Sequence, residues 1–225
     1  MNRFAARLIP LFFAAAAFGP PALAADTTPP VFDFVPPNVS VNNAPGVCGA
    51  IVNPGLATAT DPNLLSVTGA RTDGGSLIGE YPVGTTSIIW TATDTSGNAA
   101  TATETVTVTD TEKPVISGAS ANPSVLWPPN HKMVPVTVAY TATDNCGVAS
   151  AGLTVSSSEP INGIGDGNTS PDWRVVDAHH VFLRAERAGP NRGRTYTVTI
   201  SVTDIHGNTS TSNVTVFVPH DQGKR

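Results

Sequence analysis

The chain has 225 residues and a formal net charge of −5. Only 13% of its residues are charged and the balance is acidic, which argues against a nucleic-acid or anionic-membrane partner, since either needs a basic face. The chain is rich in Thr, Val, Gly and Pro and has no long Leu/Glu/Lys-rich stretch. This composition predicts many short strands joined by turns.

Residues 1–25 have the pattern of a secretory signal peptide. Arg3 and Arg7 precede an apolar run at 8–18, and small residues lead to a cleavage site expected after Ala24. The run is too short to span a hydrocarbon core of ~30 Å, and no later stretch is long enough to predict a membrane span. We therefore expect a secreted, periplasmic or cell-surface protein.

An internal repeat divides the remainder of the chain. Asp-Thr-Thr-Pro-Pro-Val-Phe at 26–32 recurs as Asp-Thr-Glu-Lys-Pro-Val-Ile at 110–116. Trp-Thr-Ala-Thr-Asp-Thr-Ser-Gly-Asn at 90–98 resembles Ile-Ser-Val-Thr-Asp-Ile-His-Gly-Asn at 200–208. The repeat predicts two units, 26–110 and 111–221, followed by a short tail at 222–225.

Each unit ends in an alternating pattern that predicts a β-hairpin. The paired segments are 85–93 with 101–109 and 195–203 with 211–218, each pair joined by an Asp-x-x-Gly-Asn turn. A further hairpin is predicted around Asp177. About seven short strands per unit predict an all-β chain of two tandem immunoglobulin-like antiparallel β-sandwiches. The core candidates are Val83, Ile88, Trp90, Trp173, Tyr196, Val198 and Ile200.

Motifs along the first unit resemble those of the hyalin repeat (HYR) domain, an immunoglobulin-like module of extracellular proteins. They are Asp-Thr-Thr-Pro-Pro at 26–30, Val-Cys-Gly-Ala at 47–50, Tyr-Pro-Val-Gly-Thr-Thr at 81–86, and Ala-Thr-Asp-Thr-Ser-Gly-Asn at 92–98. The family usually pairs the cysteine matching Cys48 with one near the start of the last strand. This chain has Ala-Thr-Ala-Thr-Glu there, at 100–104, so the resemblance leaves Cys48 without its usual partner.

The second unit resembles the HYR family only at its edges. Its middle is similar to an immunoglobulin-like domain found at the end of bacterial exported proteins, with Leu-Trp-Pro-Pro-Asn-His-Lys-Met at 126–133 and Leu-Arg-Ala-Glu-Arg at 183–187. The family resemblance implies an adhesion or spacer role, and the resemblance of the second unit suggests a bacterial source. They imply no catalytic residue.

The two cysteines fall in different predicted units, so we expect no disulfide within a unit. Two isolated cysteines, Cys48 and Cys146, are the favoured state, and an interdomain Cys48–Cys146 pair is the alternative.

Calcium is the only metal that the sequence suggests, and two arrangements are open. In the first, Asp166, Asn168 and Asp172, with Glu159, supply oxygen ligands from a Gly-rich loop. In the second, Asp110 and Glu112 at the unit junction form a clamp with Asp94 or Asp26. A surface turn and a capped linker are the plain structural alternatives, and no other cofactor is expected.

Other polar groups give weaker signals. His179 and His180 are adjacent, so on a strand they face opposite sides and cannot chelate one metal together. Arg184 and Glu186 share one face of a predicted strand, as an exposed binding patch or a solvated salt bridge. No nucleophile elbow or phosphate-binding loop is present, so we do not expect an enzyme.

These observations favour an exported, non-catalytic binding, adhesion or spacer module with an extracellular protein or glycan partner. One alternative is a calcium-stiffened structural stalk. Another is a small carbohydrate-binding protein, for which only Trp127 is expected to be exposed.

Overall fold

The computed structural model describes residues 25–162, 169–189 and 192–221, and within them the chain is all-β. Its strands form two antiparallel β-sandwiches of the immunoglobulin-like class, which confirms the predicted fold class. One pair, β2 with β8, is parallel. Residues 1–24 of the predicted signal peptide and the predicted tail at 222–225 lie outside the described residues.

Eight strands make up what we call the first strand group. They are β1 (Val31–Phe34), β2 (Val39–Asn42), β3 (Gly49–Val52), β4 (Thr58–Thr60), β5 (Leu64–Arg71), β6 (Gly79–Pro82), β7 (Gly84–Asp94) and β8 (Ala99–Thr109). A four-stranded sheet of order β2-β8-β7-β5 is accompanied by the two-stranded sheets β1-β4 and β3-β6.

Seven strands make up the second strand group. They are β9 (Val115–Asn122), β10 (Met133–Thr143), β11 (Val148–Ser157), β12 (Trp173–Val175), β13 (His180–Arg184), β14 (Gly193–Asp204) and β15 (Thr209–Pro219). They form a four-stranded sheet, β12-β13-β10-β9, and a three-stranded sheet, β11-β14-β15. Among the described strands, every pairing joins two members of the same group.

The first core lies under the β7–β8 hairpin, because alternation turns every second side chain inward. Trp90 and Ile88 from β7 pack with Val106 from β8 and Tyr81 from β6, and all four side chains are fully buried. Gly69 on β5 is paired with Trp90. A Cβ at Gly69 would lie 2.7 Å from the indole ring, so only glycine fits there.

The second core has the same origin in the β14–β15 hairpin. Tyr196, Val198 and Ile200 alternate along β14 and are completely buried, as predicted. Trp173 is partly buried and packs edge-on against Tyr196, with ring centroids 6.3 Å apart. Val83, the remaining core candidate, is partly buried against the first core.

The two hairpin turns are alike in detail. Asp94 accepts backbone hydrogen bonds from Ser96 and Asn98 at 2.9 and 2.8 Å. Asp204 accepts equivalent bonds at 2.8 and 2.9 Å, the second of them from Asn208. The glycine in each turn has a positive φ, which a side chain would disfavour. The Asp-x-x-Gly-Asn segments are therefore turns, as their sequence predicts.

One carboxylate lies inside the first core. Glu104 shares the inward face of β8 with Val106 and is completely buried. Its Oε2 accepts a hydrogen bond from the Trp90 indole at 3.0 Å, while Oε1 has no hydrogen-bond partner. Burial raises the pKa of Glu104, and the Trp90 bond opposes this only in part.

The raised pKa of Glu104 predicts a pH-dependent contribution to stability. A carboxyl whose pKa is higher in the folded than in the unfolded state favours folding at low pH, and that contribution is lost as pH rises through the folded pKa. Glu104→Gln keeps an oxygen for the Trp90 bond and buries no charge. We expect it to be at least as stable as wild type at pH 8, with a smaller loss of stability between pH 4 and pH 8.

Urea unfolding at several pH values measures this difference. Glu80→Gln, at an exposed position, is the matched control and should keep the wild-type pH dependence. If the free energy of unfolding of Glu104→Gln had the same pH dependence as that of wild type, burying the ionised Glu104 carboxylate would not destabilise the fold.

Candidate functional site

The junction between the two strand groups is closed by a disulfide. Cys48, just before β3, is bonded to Cys146, just before β11, across 98 residues of sequence, with the Cα atoms 4.8 Å apart. The favoured expectation of two isolated cysteines is therefore wrong, and the interdomain pair is present. Strand periodicity carries no signal for this contact, because it depends on how loops of separate groups approach each other.

Hydrogen bonds cross the junction on either side of the disulfide. The Gly46 backbone N–H donates to Glu112 Oε1 at 2.8 Å. The Asn145 side-chain amide donates to the Val47 carbonyl at 3.0 Å. Asn43 Oδ1 accepts from the Thr111 backbone N–H at 3.0 Å. The loop that carries Cys48 is thus bonded both to the connecting segment and to the second group.

Two carboxylates meet beside the disulfide. A carboxylate oxygen of Asp110, one of Asp144 and the Cys146 sulfur all lie within 4.8 Å of one another. Asp110 Oδ1 accepts the Glu112 N–H at 3.1 Å, and Asp144 Oδ1 accepts the Cys146 N–H at 2.8 Å. The Oδ2 atom of each is buried and has no hydrogen-bond partner.

Sulfur ligation is excluded at this cluster. The His206 ring also has a nitrogen within 4.8 Å of the Cys48 and Cys146 sulfurs. Both sulfurs belong to the disulfide, however, and a metal needs a thiolate. Only oxygen and imidazole donors remain there.

The corresponding place in the first group holds a second acidic cluster. Asp26, Asp61 and Asp94 have carboxylate oxygens within 4.8 Å of one another. The amides of Asn63 and Asn98 donate to Asp26 Oδ2 at 3.0 Å and to Asp94 Oδ2 at 2.7 Å. Hydrogen bonds from the Thr28 backbone and Asn63 lower the pKa of Asp26. Within the described residues, no oxygen of this cluster is both buried and without a partner.

These two clusters change the predicted junction clamp. Asp26 and Asp94 group with Asp61, whereas Asp110 groups with Asp144. Glu112 contacts the Gly46 backbone. The partner of Asp110 is therefore a residue that the clamp hypothesis did not include.

A separate cluster of charges is buried in the second group. Arg194 and Glu186 have no exposed surface, and Asp172 is 1% exposed. Arg194 Nη2 donates to Asp172 Oδ2, and Nη1 donates to Glu186 Oε1 at 3.1 Å. Its Nε donates to Ser157 Oγ at 2.8 Å. One guanidinium thus bonds two carboxylates and the end of β11, and it lies 3.9 Å from a third carboxylate, that of Glu159.

The pKa shifts in this cluster follow first from burial, and its charges modify them. Burial raises the pKa of Asp172, and a hydrogen bond with Glu186 raises it further, against the attraction of Arg194. Burial also raises the pKa of Tyr196, beside the guanidinium. The raised pKa of Asp172 is what burial beside a second carboxyl group produces.

The calcium loop is only partly within the described residues. Asp166 and Asn168 lie outside them. Asp172 binds Arg194, and Glu159 Oε2 accepts the Ala188 N–H at 2.7 Å. Calcium binding by Asp166, Asn168 and Asp172 stays a prediction.

The adjacent residues His179 and His180 make structural contacts. His179 stacks on Tyr140 with centroids 4.5 Å apart, and its Nδ1 lies 3.0 Å from the Val138 carbonyl. His180 Nδ1 lies 2.9 Å from Asp177 Oδ1 at the surface. Arg184 donates to the carbonyls of Pro171 and His131.

The exposed Arg184–Glu186 patch is a wrong expectation, because Glu186 is completely buried. It follows β13, where the strand alternation used for the prediction has ended. Arg194 was also missed, although it precedes Tyr196 by two residues and so shares the inward face of β14. A lone charge at an inward position was the signal that could have found it.

Comparisons with known proteins give likenesses of structure only. No protein-family model matches the chain. No curated protein is detectably related in sequence. The resemblance of 26–110 to HYR domains and of 111–221 to a bacterial immunoglobulin-like domain stays an interpretation of motifs. Among the described residues, no helix is long and apolar enough to cross a membrane.

Several solved structures are similar to the chain. The fibronectin(III)-like modules of Clostridium thermocellum CbhA are 16% identical over 87% of this chain and 97% of that chain, with a TM-score of 0.33. Mouse PcdhgC3 EC1-3 is 18% identical over 85% and 67%, with a TM-score of 0.33. The Ig1-2 module of Drosophila receptor protein tyrosine phosphatase DLAR is 16% identical over 84% and 98%, with a TM-score of 0.29. These values are low, and nothing about binding or activity follows from them.

The buried charge cluster predicts a large effect of removing Arg194. Arg194→Met leaves Asp172 buried without its cation and leaves Glu186 with the more distant guanidinium of Arg184, at 3.8 Å, which should lower the free energy of unfolding by about 3–5 kcal/mol. Arg174→Met, at an exposed arginine, is the matched control and should change it by about 0.5 kcal/mol or less. Urea unfolding measures both.

Neutralising the two acids should then recover part of the loss. Arg194→Met combined with Asp172→Asn and Glu186→Gln is expected to be more stable than Arg194→Met alone. If the triple variant were no better, lost packing rather than unpaired charge would explain the effect of Arg194.

Proposed function

We propose that this chain is an exported, non-catalytic module that spaces or presents a binding surface through two β-sandwiches fixed to each other. The observation that carries this proposal is the Cys48–Cys146 disulfide between the two strand groups. Disulfides persist in oxidising compartments, which supports export together with the signal-peptide pattern of residues 1–25.

The contacts around the disulfide support a fixed junction rather than a hinge. A single covalent link would leave rotation about its own bonds. The Gly46–Glu112 and Asn145–Val47 hydrogen bonds restrain that rotation from two sides. Pro114, which is buried, fixes one φ angle where the connecting segment enters the second group.

The surface of the first group supports a role in partner binding. Several large apolar side chains are exposed there, and a partner that covered them would gain from the burial of apolar surface. They are Val31, Phe34, Ile51, Leu56, Leu65 and Ile78. Binding along strands and strand edges needs no deep pocket.

The fixed junction predicts that solution shape depends on the disulfide. Oxidised protein should show no free thiol under denaturing conditions, and its small-angle X-ray scattering should fit one arrangement of the two groups. Cys48→Ser with Cys146→Ser should fold normally by circular dichroism but require an ensemble of arrangements. Free thiols in the exported protein, or identical scattering from the variant, would contradict the proposed role of the bond.

Binding itself is tested with the same material. Purified 25–225 should bind bacterial cells or extracellular matrix above the level of an unrelated β-sandwich of similar size and charge. Binding no greater than this control would remove the presentation role and leave a spacer. Turnover in a broad hydrolase screen would overturn the non-catalytic assignment.

A second candidate function, carbohydrate binding, is favoured by the exposure of Trp127. Its side chain is 42% exposed, whereas Trp90 is 1% exposed and Trp173 packs against the second core. Sugar rings stack on exposed aromatic faces, so Trp127 is the tryptophan available for this role.

If the chain binds a glycan through Trp127, Trp127→Ala should abolish binding on a glycan array, because the stacking surface is lost. Phe34→Ala removes another exposed aromatic ring, from the first group, and should leave binding unchanged. Absence of any array signal from wild type would rule out this second function.

A further inference from the structure

We propose that Asp110 and Asp144 form a calcium site at the junction of the two strand groups, next to the Cys48–Cys146 disulfide. Asp110 belongs to the segment that connects the groups, and Asp144 belongs to the loop between β10 and β11. An ion held by both would tie the connecting segment to the second group. The site rests on the proposed function and extends it, because a bound ion would add calcium-dependent stability to a junction that the disulfide already fixes.

The first support is an unpaired carboxylate oxygen in a buried place. Asp110 is 5% exposed, and its Oδ2 has no hydrogen-bond partner. Asp144 is only partly buried, but its Oδ2 atom is itself buried and also has no hydrogen-bond partner. Buried polar atoms in folded proteins are nearly always paired, and an unpaired buried charge is costly. Two such oxygens in one cluster indicate a missing positive partner.

The second support is distance. The carboxylate oxygens of Asp110 and Asp144 that come together do so within 4.8 Å. Calcium binds oxygen at about 2.3–2.6 Å, so two ligands of one ion lie at most ~5 Å apart. The observed spacing is compatible with a single ion bound between the two side chains.

The third support is the lack of a protein cation. Among the described residues, no Lys or Arg nitrogen lies within ion-pair distance of either carboxylate. Lys113 lines the adjacent surface hollow together with Glu112 and Asp144. The nearby His206 is exposed. The local charge therefore remains negative, and a divalent cation would offset it.

The chemistry of the donors selects a hard cation. Cys146 is held in the disulfide, so the soft thiolate that zinc or copper favours is absent. Asn145 Oδ1 is a further buried oxygen without a partner, on the residue next to Asp144. The open hollow beside Asp144 and Asn145 gives water access to complete the six to eight oxygens that calcium takes.

The first strand group provides an internal comparison. Asp61 lies just before β5, as Asp144 lies just before β11. Each of the two carboxylates accepts a hydrogen bond from the backbone N–H of the residue two positions later. The two carboxylates beside Asp61 each accept a hydrogen bond from a side-chain amide, Asp26 from Asn63 and Asp94 from Asn98. In the second group Asn208 donates to Asp204 as Asn98 donates to Asp94. Cys146, however, stands where the first group has Asn63, so Asp110 lacks the amide donor that Asp26 has, and only this cluster predicts an ion.

The test is a thermal melt of oxidised 25–225 in chelator and then in millimolar calcium chloride. Calcium at a hundredfold excess over Kd should raise the melting temperature by about 10 °C, since it binds only the folded state. Asp110→Asn and Asp144→Asn should each lose this shift. Both keep Oδ1 for the turn bonds, so without calcium they should melt no lower than wild type.

Asp61→Asn is the matched control and should keep the full calcium shift. A wild-type melt that calcium does not change would overturn the proposal, as would a shift that survives in both Asp110→Asn and Asp144→Asn. A shift lost only in Asp61→Asn, or only in Asp166→Asn, would assign the ion to the other cluster or to the loop and would equally overturn it. The scattering test of the disulfide uses no calcium, so failure of one proposal does not decide the other.

Discussion

Alternation along the long hairpins β7–β8 and β14–β15 is the constraint from which most of the structure follows. A strand turns every second side chain to the same face, so eleven- and twelve-residue strands supply a continuous row of core positions. The buried aromatic residues Trp90 and Tyr196 lie in these rows. The same geometry leaves the opposite, threonine-rich face in solvent, which explains how a chain with few charged residues presents a polar surface.

The alternation also brings charges inside. Glu104 and Arg194 occupy inward positions of the two hairpins and are completely buried. The two buried side chains are stabilised by different kinds of partner. Glu104 has one neutral donor, the Trp90 indole, whereas Arg194 gathers Asp172 and Glu186 and so ties loop residues to β14. In the second group the hydrogen bonds of the buried Arg194 thus fix the positions of the loops, because apolar contacts are not directional and define such positions less precisely.

At the junction, a covalent disulfide brings loops together while neighbouring carboxylates repel each other. The disulfide holds the loop of Cys48 against that of Cys146, and Asp110 and Asp144 lie close beside it. Like charges in a partly buried place repel, and the disulfide at Cys146, two residues from Asp144, limits how far the loop of Asp144 can move away. This arrangement resembles a preorganised ligand set, because the entropy of bringing the oxygens together has already been spent in forming the covalent link.

Sequence reasoning by itself determined the fold class, both long hairpins, their Asp-x-x-Gly-Asn turns and most core residues, because period-two alternation and turn chemistry are local properties. It also found the exposed state of Trp127. It gave the Cys48–Cys146 disulfide only as the less favoured alternative, and it did not find the pairing of Asp110 with Asp144 or the buried state of Glu186. Each of these depends on which loops meet after the sheets have packed, and partners such as Cys48 and Cys146, 98 residues apart, leave no periodic trace in the chain. Only the tertiary structure decided them, since contacts between loops are set by the packing of whole sheets rather than by neighbours in sequence.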